Sequence, residues 1–429
     1  MQRVLLPKRD IDGDNQREGY RMHARSRIGT FGLFGGGNLG NDGSLEAVLV
    51  SLRRLVPDAE IGCICAKPSV VESTHGVTAV PIRTPTPVAI RSRRFIVLAW
   101  KAMREFFDWP ATFFRVRKFD VILVPGTGIL DDFGDRPWGM PLTILRFCLM
   151  ARLAGTKVWL VSVGAGPIRH PLSRRLMLWA ARLAQYRSYR DLHSRDYMAA
   201  LGLATERDGV YPDVAFGLRT PDARSMSDAG PDGRGRDVPT IGVGIMAYYG
   251  WKRRSDGTSI HDAYIEHMTC FVLWLIEQGY RVRLIMGETS DEASIAELRQ
   301  AVSARMPDLS QDRLVSTPAH SLSDVMLQMA ECQVVIASRF HNVICALRLG
   351  KPTISLGYAD KFDVLMVDMG LADFRQHVER LDVELLKRQL DQALTDRAQL
   401  SSSICARMLD YQAQLRQQET LLGDMLQHV

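Results

Sequence analysis

The sequence predicts an α/β protein made of two Rossmann-like, doubly wound domains facing each other across a cleft. Three observations predict it. The chain has 429 residues, more than one hydrophobic core ordinarily supports. Short apolar runs bounded by glycine or proline alternate with longer amphipathic stretches, as buried parallel strands and their crossover helices do. That alternation runs through the chain twice, with a break between.

The first pass begins with Ile28–Phe34 as a strand, then a glycine-rich turn and a helix from about Gly43 to Leu55. Glu60–Cys65, Asp120–Val124 and Lys157–Val163 read as further strands. Residues 219–239 then hold almost no large apolar side chain and are rich in Gly, Pro, Ser and Asp, the composition of a linker. The second pass opens at Thr240–Ile245. It continues through a helix at His261–Gln278 with Gly279 closing it, a strand at Arg281–Met286, a helix near Asp291–Met306, and strands Val334–Ala337 and Thr353–Leu356. The expected layout is a disordered leader (1–27), an N-terminal domain (28–218), a flexible linker (219–239), a C-terminal domain (240–381) and C-terminal helices (382–429).

Composition narrows the class. Apolar residues are 46% and charged residues 24% of the chain, ordinary for a globular protein, and the net charge of +6 suits an anionic ligand without implying nucleic acid. The seven cysteines are scattered, and Cys63-Ile-Cys65 lacks the spacing of a redox or zinc motif, so reduced, buried thiols are expected. No apolar stretch reaches the roughly 18 uncharged residues of a membrane span. The polar N-terminus has no signal-peptide core, which points to the cytoplasm. Residues 91–118 interleave basic and aromatic side chains, a pattern that suits either a packed core helix or peripheral contact with the inner membrane face.

Four loops carry candidate chemistry, each at the carboxyl end of an expected strand, where open α/β sheets bind ligands. Gly35-Gly36-Gly37-Asn38-Leu39-Gly40-Asn41-Asp42 allows close backbone approach and offers polar groups to sugar hydroxyls, although tight turns need glycine anyway. Pro125-Gly126-Thr127-Gly128 leads to Asp131 and Asp132, for which a plain helix-capping role is the alternative. Arg190 leaves a strand beside Asp191 and is suited to phosphate or carboxylate, or else to solvent beside a capping Asp191. Ser338-Arg339-Phe340-His341 sets a guanidinium beside an imidazole, and Tyr358 and Lys361 leave the neighbouring strand at the same edge.

Taken together these motifs resemble the polysaccharide pyruvyltransferase family over about Ile28–Leu371. The glycine-rich opening, Pro125-Gly-Thr-Gly (a triple glycine with one residue replaced), Arg190-Asp191-x-x-Ser194 and Ser338-Arg339-Phe340-His341 with Tyr358 and Lys361 follow in the family's order. The resemblance implies a glycosyltransferase-B-like architecture with phosphoenolpyruvate as donor. It further implies a donor site of Arg190, Arg339, Lys361, Tyr358 and Ser338 with His341, in the C-terminal half of the cleft. The acceptor saccharide, expected to be lipid-linked, then falls to Gly36, Gly37, Asn38, Asp42, Gly126 and Gly128.

The chemistry accords with this. Cationic side chains offset a phosphate and a carboxylate on adjacent atoms. His341, with an ordinary pKa of about 6.5, is the expected acid that protonates the enol carbon, and Asp42 or Asp131 the expected base. No metal site and no cofactor are called for. The rival readings are a glycosyltransferase of the same architecture that uses a nucleotide sugar, and a non-catalytic sugar-binding assembly partner.

Overall fold

The computed structural model describes residues 26–85, 94–132, 135–221, 238–250 and 255–428. Nearly all of the expected leader, most of the linker and the side chains of 94–102 lie outside the described residues.

Two parallel sheets carry the fold. The first has seven strands: β1 (Arg27–Gly32), β2 (Glu60–Cys65), β3 (Thr78–Pro81), β4 (Val121–Pro125), β5 (Lys157–Val163), β6 (Tyr186–Tyr189) and β7 (Gly209–Val210), in the order β3-β2-β1-β4-β5-β6-β7. The second has six: β8 (Thr240–Gly244), β9 (Arg281–Ile285), β10 (Leu314–Ser316), β11 (Val334–Ala337), β12 (Thr353–Gly357) and β13 (Arg375–His377), in the order β10-β9-β8-β11-β12-β13. Both sheets reverse their winding beside the first strand, at β1/β4 and at β8/β11. A crevice opens at the carboxyl edge of such a reversal, and all four motif loops leave strands at these edges.

Helices fill both faces. α1 (Leu39–Leu55), α2 (Pro68–His75), α3 (Arg94–Val116), α4 (Met140–Ala154), α5 (Pro171–Leu183) and α6 (Leu192–Ala200) belong to the first sheet. α7 (Gly257–Glu277), α8 (Asp291–Arg305), α9 (Leu322–Ala330), α10 (Phe340–Arg348), α11 (Asp360–Asp368) and α12 (Val383–Thr395) belong to the second. α1 begins four residues before the expected Gly43 because Asn38 caps it, its side chain accepting from Asn41 N at 3.1 Å.

The units are bound together. α13 (Arg397–Leu426) buries Ile404, Met408 and Leu415 in the core of the second unit and Leu422 and Leu426 in a core of the first. Between them Gln418, fully enclosed, bonds Ser162 Oγ at 3.0 Å and Ser188 Oγ at 2.9 Å. The seven cysteines are unpaired and five are buried. No helix among the described residues is long and apolar enough to cross a membrane.

Candidate functional site

Between the sheets lies a cavity of about 460 Å³. Asn38, Gly40, Thr127, Gly128, Asp131 and Arg190 line it from the first unit, and Glu288, Arg339, Phe340, His341, Tyr358 and Lys361 from the second. The volume falls within the range of small-ligand sites. Elements distant in sequence therefore do meet, and every motif contributes to one wall or the other.

The glycine-rich loop does something other than expected. Gly37 has φ 93° and its carbonyl accepts from Thr289 N at 2.9 Å, while Leu39 N donates to Gly287 O at 3.2 Å. Asn38 and Glu288 form an antiparallel bridge. The loop is thus a clasp between the units. Of its residues expected at the acceptor, Asn38 lines the cavity and Gly36 and Gly37 do not. Asp42 is absent from the cavity wall too: its carboxylate accepts from Gly35 N at 2.6 Å and closes the turn, with burial pushing its pKa up. Gly126 also lies off the wall, where a Cβ would come 2.3 Å from Val214 Cγ2, so its smallness serves packing. Gly128 and Asp131 do line the cavity. The adjacent Asp132 lines the cavity as well, with its Oδ2 accepting from Arg169 N (2.8 Å) and His170 N (3.2 Å).

On the facing wall Ser338 is buried, donates to Gly244 O at 2.8 Å and does not reach the cavity. Arg339 reaches it with its charge already met. Nη1 lies 2.9 Å from Glu288, Nε 3.1 Å from Asp291, and Nη2 bonds Asp291 as well. Asp291 is wholly buried and also accepts from the backbone of Ala247, Gly287 and Glu288. Arg339 therefore ties β11 to the turn before α8. Glu288 and Asp291 lie outside any motif, and only a charge-balance argument on Arg339 would have singled them out.

Arg190 and Lys361 come from different units and converge on the Phe340 ring, at 4.6 Å and 5.4 Å from its centroid. Arg190 lies 3.4 Å from Asp191 and 3.5 Å from Asp213. Asp191 also caps α6, accepting from Ser194 N at 2.6 Å, but Arg190 beside it is not solvated as the capping alternative supposed: its side chain is 7% exposed. Asp213 is buried, and desolvation raises its carboxyl to about 6 in spite of Arg190. Arg190, Phe340 and Lys361 also wall a second cavity of about 250 Å³ behind the first. Tyr358 stacks on Tyr248 at 5.6 Å and places its ring 5.2 Å from the Lys361 ammonium.

His341 sits among these groups. Its Nε2 is shut off from solvent and has no hydrogen-bond partner. Burial, then Lys361 and Arg190, lower its pKa to about 3. The lowered pKa favours the neutral imidazole, whereas the acid expected from the ordinary pKa carries a proton. Among the described residues no group of three or more His, Cys, Asp or Glu could hold a metal ion.

Comparison with known proteins adds two findings. The family model described as polysaccharide pyruvyl transferase matches residues 38–360. Similar solved structures include a UDP-GlcNAc 2-epimerase from Methanocaldococcus jannaschii (TM-score 0.57, 11% identity, covering 86% of this chain and 93% of that one). A putative UDP-N-acetylglucosamine 2-epimerase from Listeria monocytogenes (0.56, 12%, 89% and 91%) and a glycosyltransferase from Rickettsia africae (0.55, 10%, 94% and 98%) are also similar. At such identities the likeness establishes the fold alone, the glycosyltransferase-B-like pair of Rossmann domains. No curated protein matches the chain.

Proposed function

Since the chain belongs to the polysaccharide pyruvyl transferase family, we propose that it moves the pyruvyl group of phosphoenolpyruvate onto a saccharide precursor of a surface polysaccharide, forming a pyruvate ketal. One observation carries the reading: Arg190 from one unit, and Lys361 and His341 with its unpartnered Nε2 from the other, converge on one cavity between the units. Two cations from opposite units suit a small ligand with a phosphate and a carboxylate on neighbouring atoms. Arg339 supports the turn beneath them instead of binding the donor directly.

In this reading the bound anions offset the field of Arg190 and Lys361, and His341 regains affinity for a proton. It delivers that proton to the methylene carbon, which becomes a methyl group while C2 acquires cationic character. A saccharide hydroxyl adds to C2 and gives its proton to Asp131. The C2–O bond to phosphate then breaks, phosphate leaves with its electron pair and the proton from Asp131, and the second hydroxyl adds to C2 to close the ketal, returning its proton to His341. Asn38 and Gly128 face the acceptor, which in this reading is lipid-linked and handled on the cytoplasmic side.

The test is to incubate the protein with carbon-labelled phosphoenolpyruvate and saccharide precursors from the producing cell. Label retained on saccharide with equimolar phosphate release supports the assignment. Sugar transfer from a nucleotide sugar, with no retained pyruvyl label, overturns it.

A further inference from the structure

α3 is apolar on both faces. Inward, Trp109, Phe113 and Val116 pack into the first unit. Outward, the exposed positions are Met103, Phe106, Phe107, Pro110 and Phe114, which recur every three or four residues and so form one stripe along the helix. Phe106 is 74% exposed. A solvated helix presents polar residues at such positions, and a contiguous apolar patch ordinarily marks a contact surface.

The charges around the stripe are of one sign. Arg117 and Lys118 are exposed at its carboxyl end, and the Arg117 guanidinium lies 5.8 Å from the Phe114 ring centroid. The acids of this stretch, the partly exposed Glu105 and the buried Asp108, are both paired with the buried Arg146. The amino-terminal part of the stripe lies toward the mouth of the cleft, and Phe114, Arg117 and Lys118 lie toward the opposite edge of the sheet. The backbone of Thr84 donates to Asp108 of α3 at 2.9 Å, and its neighbour Arg83 donates to Gly139 O at 2.9 Å. Trp138, beside Gly139, is 65% exposed and stands between Asp135 and Met140, which both line the cavity.

We infer that the α3 stripe is a docking surface for an anionic lipid bilayer, and that it brings the acceptor end of the cleft to the membrane. Aromatic side chains enter the headgroup–acyl boundary, while Arg117 and Lys118 meet lipid phosphates. A second copy of the chain would bring like charges together around the stripe, so a bilayer suits it better. The surface stands on its own observations, and only its link to the acceptor rests on the proposed transfer reaction.

The test is sedimentation of the full chain with vesicles of phosphatidylcholine alone and of phosphatidylcholine with phosphatidylglycerol. The expected result is at least tenfold tighter binding to the anionic vesicles. A Phe106→Ser/Phe107→Ser/Phe114→Ser variant should lose that binding, and an Arg117→Glu/Lys118→Glu variant should lose the preference for anionic lipid. Phosphoenolpyruvate titrations of the same variants should match wild type, which keeps failure here separate from failure of the donor assignment. No binding to either vesicle overturns the inference. So does a concentration-dependent dimer that the serine variant dissolves.

Discussion

A Cβ added to Gly40 on α1 would lie 1.9 Å from His341 Nδ1 on α10, so the imidazole occupies space that a side chain of the opposing unit would otherwise take. The same relation recurs at Gly164, whose added Cβ would lie 2.5 Å from the Arg190 guanidinium carbon. These glycines are placed to admit the site residues. Gly40→Ala should therefore displace the imidazole and lower turnover by about 100-fold, the usual cost of misplacing a reacting group by an ångström. Thermal melts and single-turnover rates check this, and wild-type turnover in a folded Gly40→Ala protein would contradict it.

Arg339→Ala should act mainly on stability. It leaves the buried Asp291 carboxylate without its guanidinium partner, at a cost of about 3 kcal/mol. Denaturant unfolding should show that loss, with phosphoenolpyruvate affinity in the surviving folded protein changed far less than by Arg190→Ala.

Donor binding should take up a proton. The His341 imidazole, lowered to about 3 against an ordinary value of about 6.5, stabilises the fold most above pH 6.5 and loses that contribution as pH falls towards 3. Asp213 behaves oppositely: raised to about 6, it contributes most below its unfolded value of about 4 and loses this as pH rises through 6. Phosphoenolpyruvate titrations near pH 7 in buffers of different ionisation enthalpy should report proton uptake, abolished in His341→Asn. A buffer-independent enthalpy would count against His341 as the acid.

The two aspartates considered as bases should separate. Asp42→Ala should cost about 1 kcal/mol, by leaving Gly35 N–H without its acceptor, and leave turnover near wild type. Asp131→Asn should lower turnover by about 100-fold or more with little loss of stability. Equal kinetic defects in both would return Asp42 to consideration.

The sheets were legible because buried parallel strands are short, apolar and bounded by breakers, as Val334–Ala337 illustrates. The cationic wall was legible because Arg190, Arg339, His341 and Lys361 follow such strands directly. The glycine-rich loop was misread in part, since local sequence records that Gly37 permits an unusual backbone but not that Thr289 bonds to it. The pairing of Arg339 with Asp291, 48 residues away, likewise arises only when β9 and β11 flank β8.

Calorimetric titration of phosphoenolpyruvate into the protein tests the central claim most directly. The account predicts saturable binding that weakens at least tenfold, about 1.4 kcal/mol, in both Arg190→Ala and Lys361→Ala and stays close to wild type in His341→Ala. Binding of a UDP-sugar with no response to phosphoenolpyruvate would contradict it.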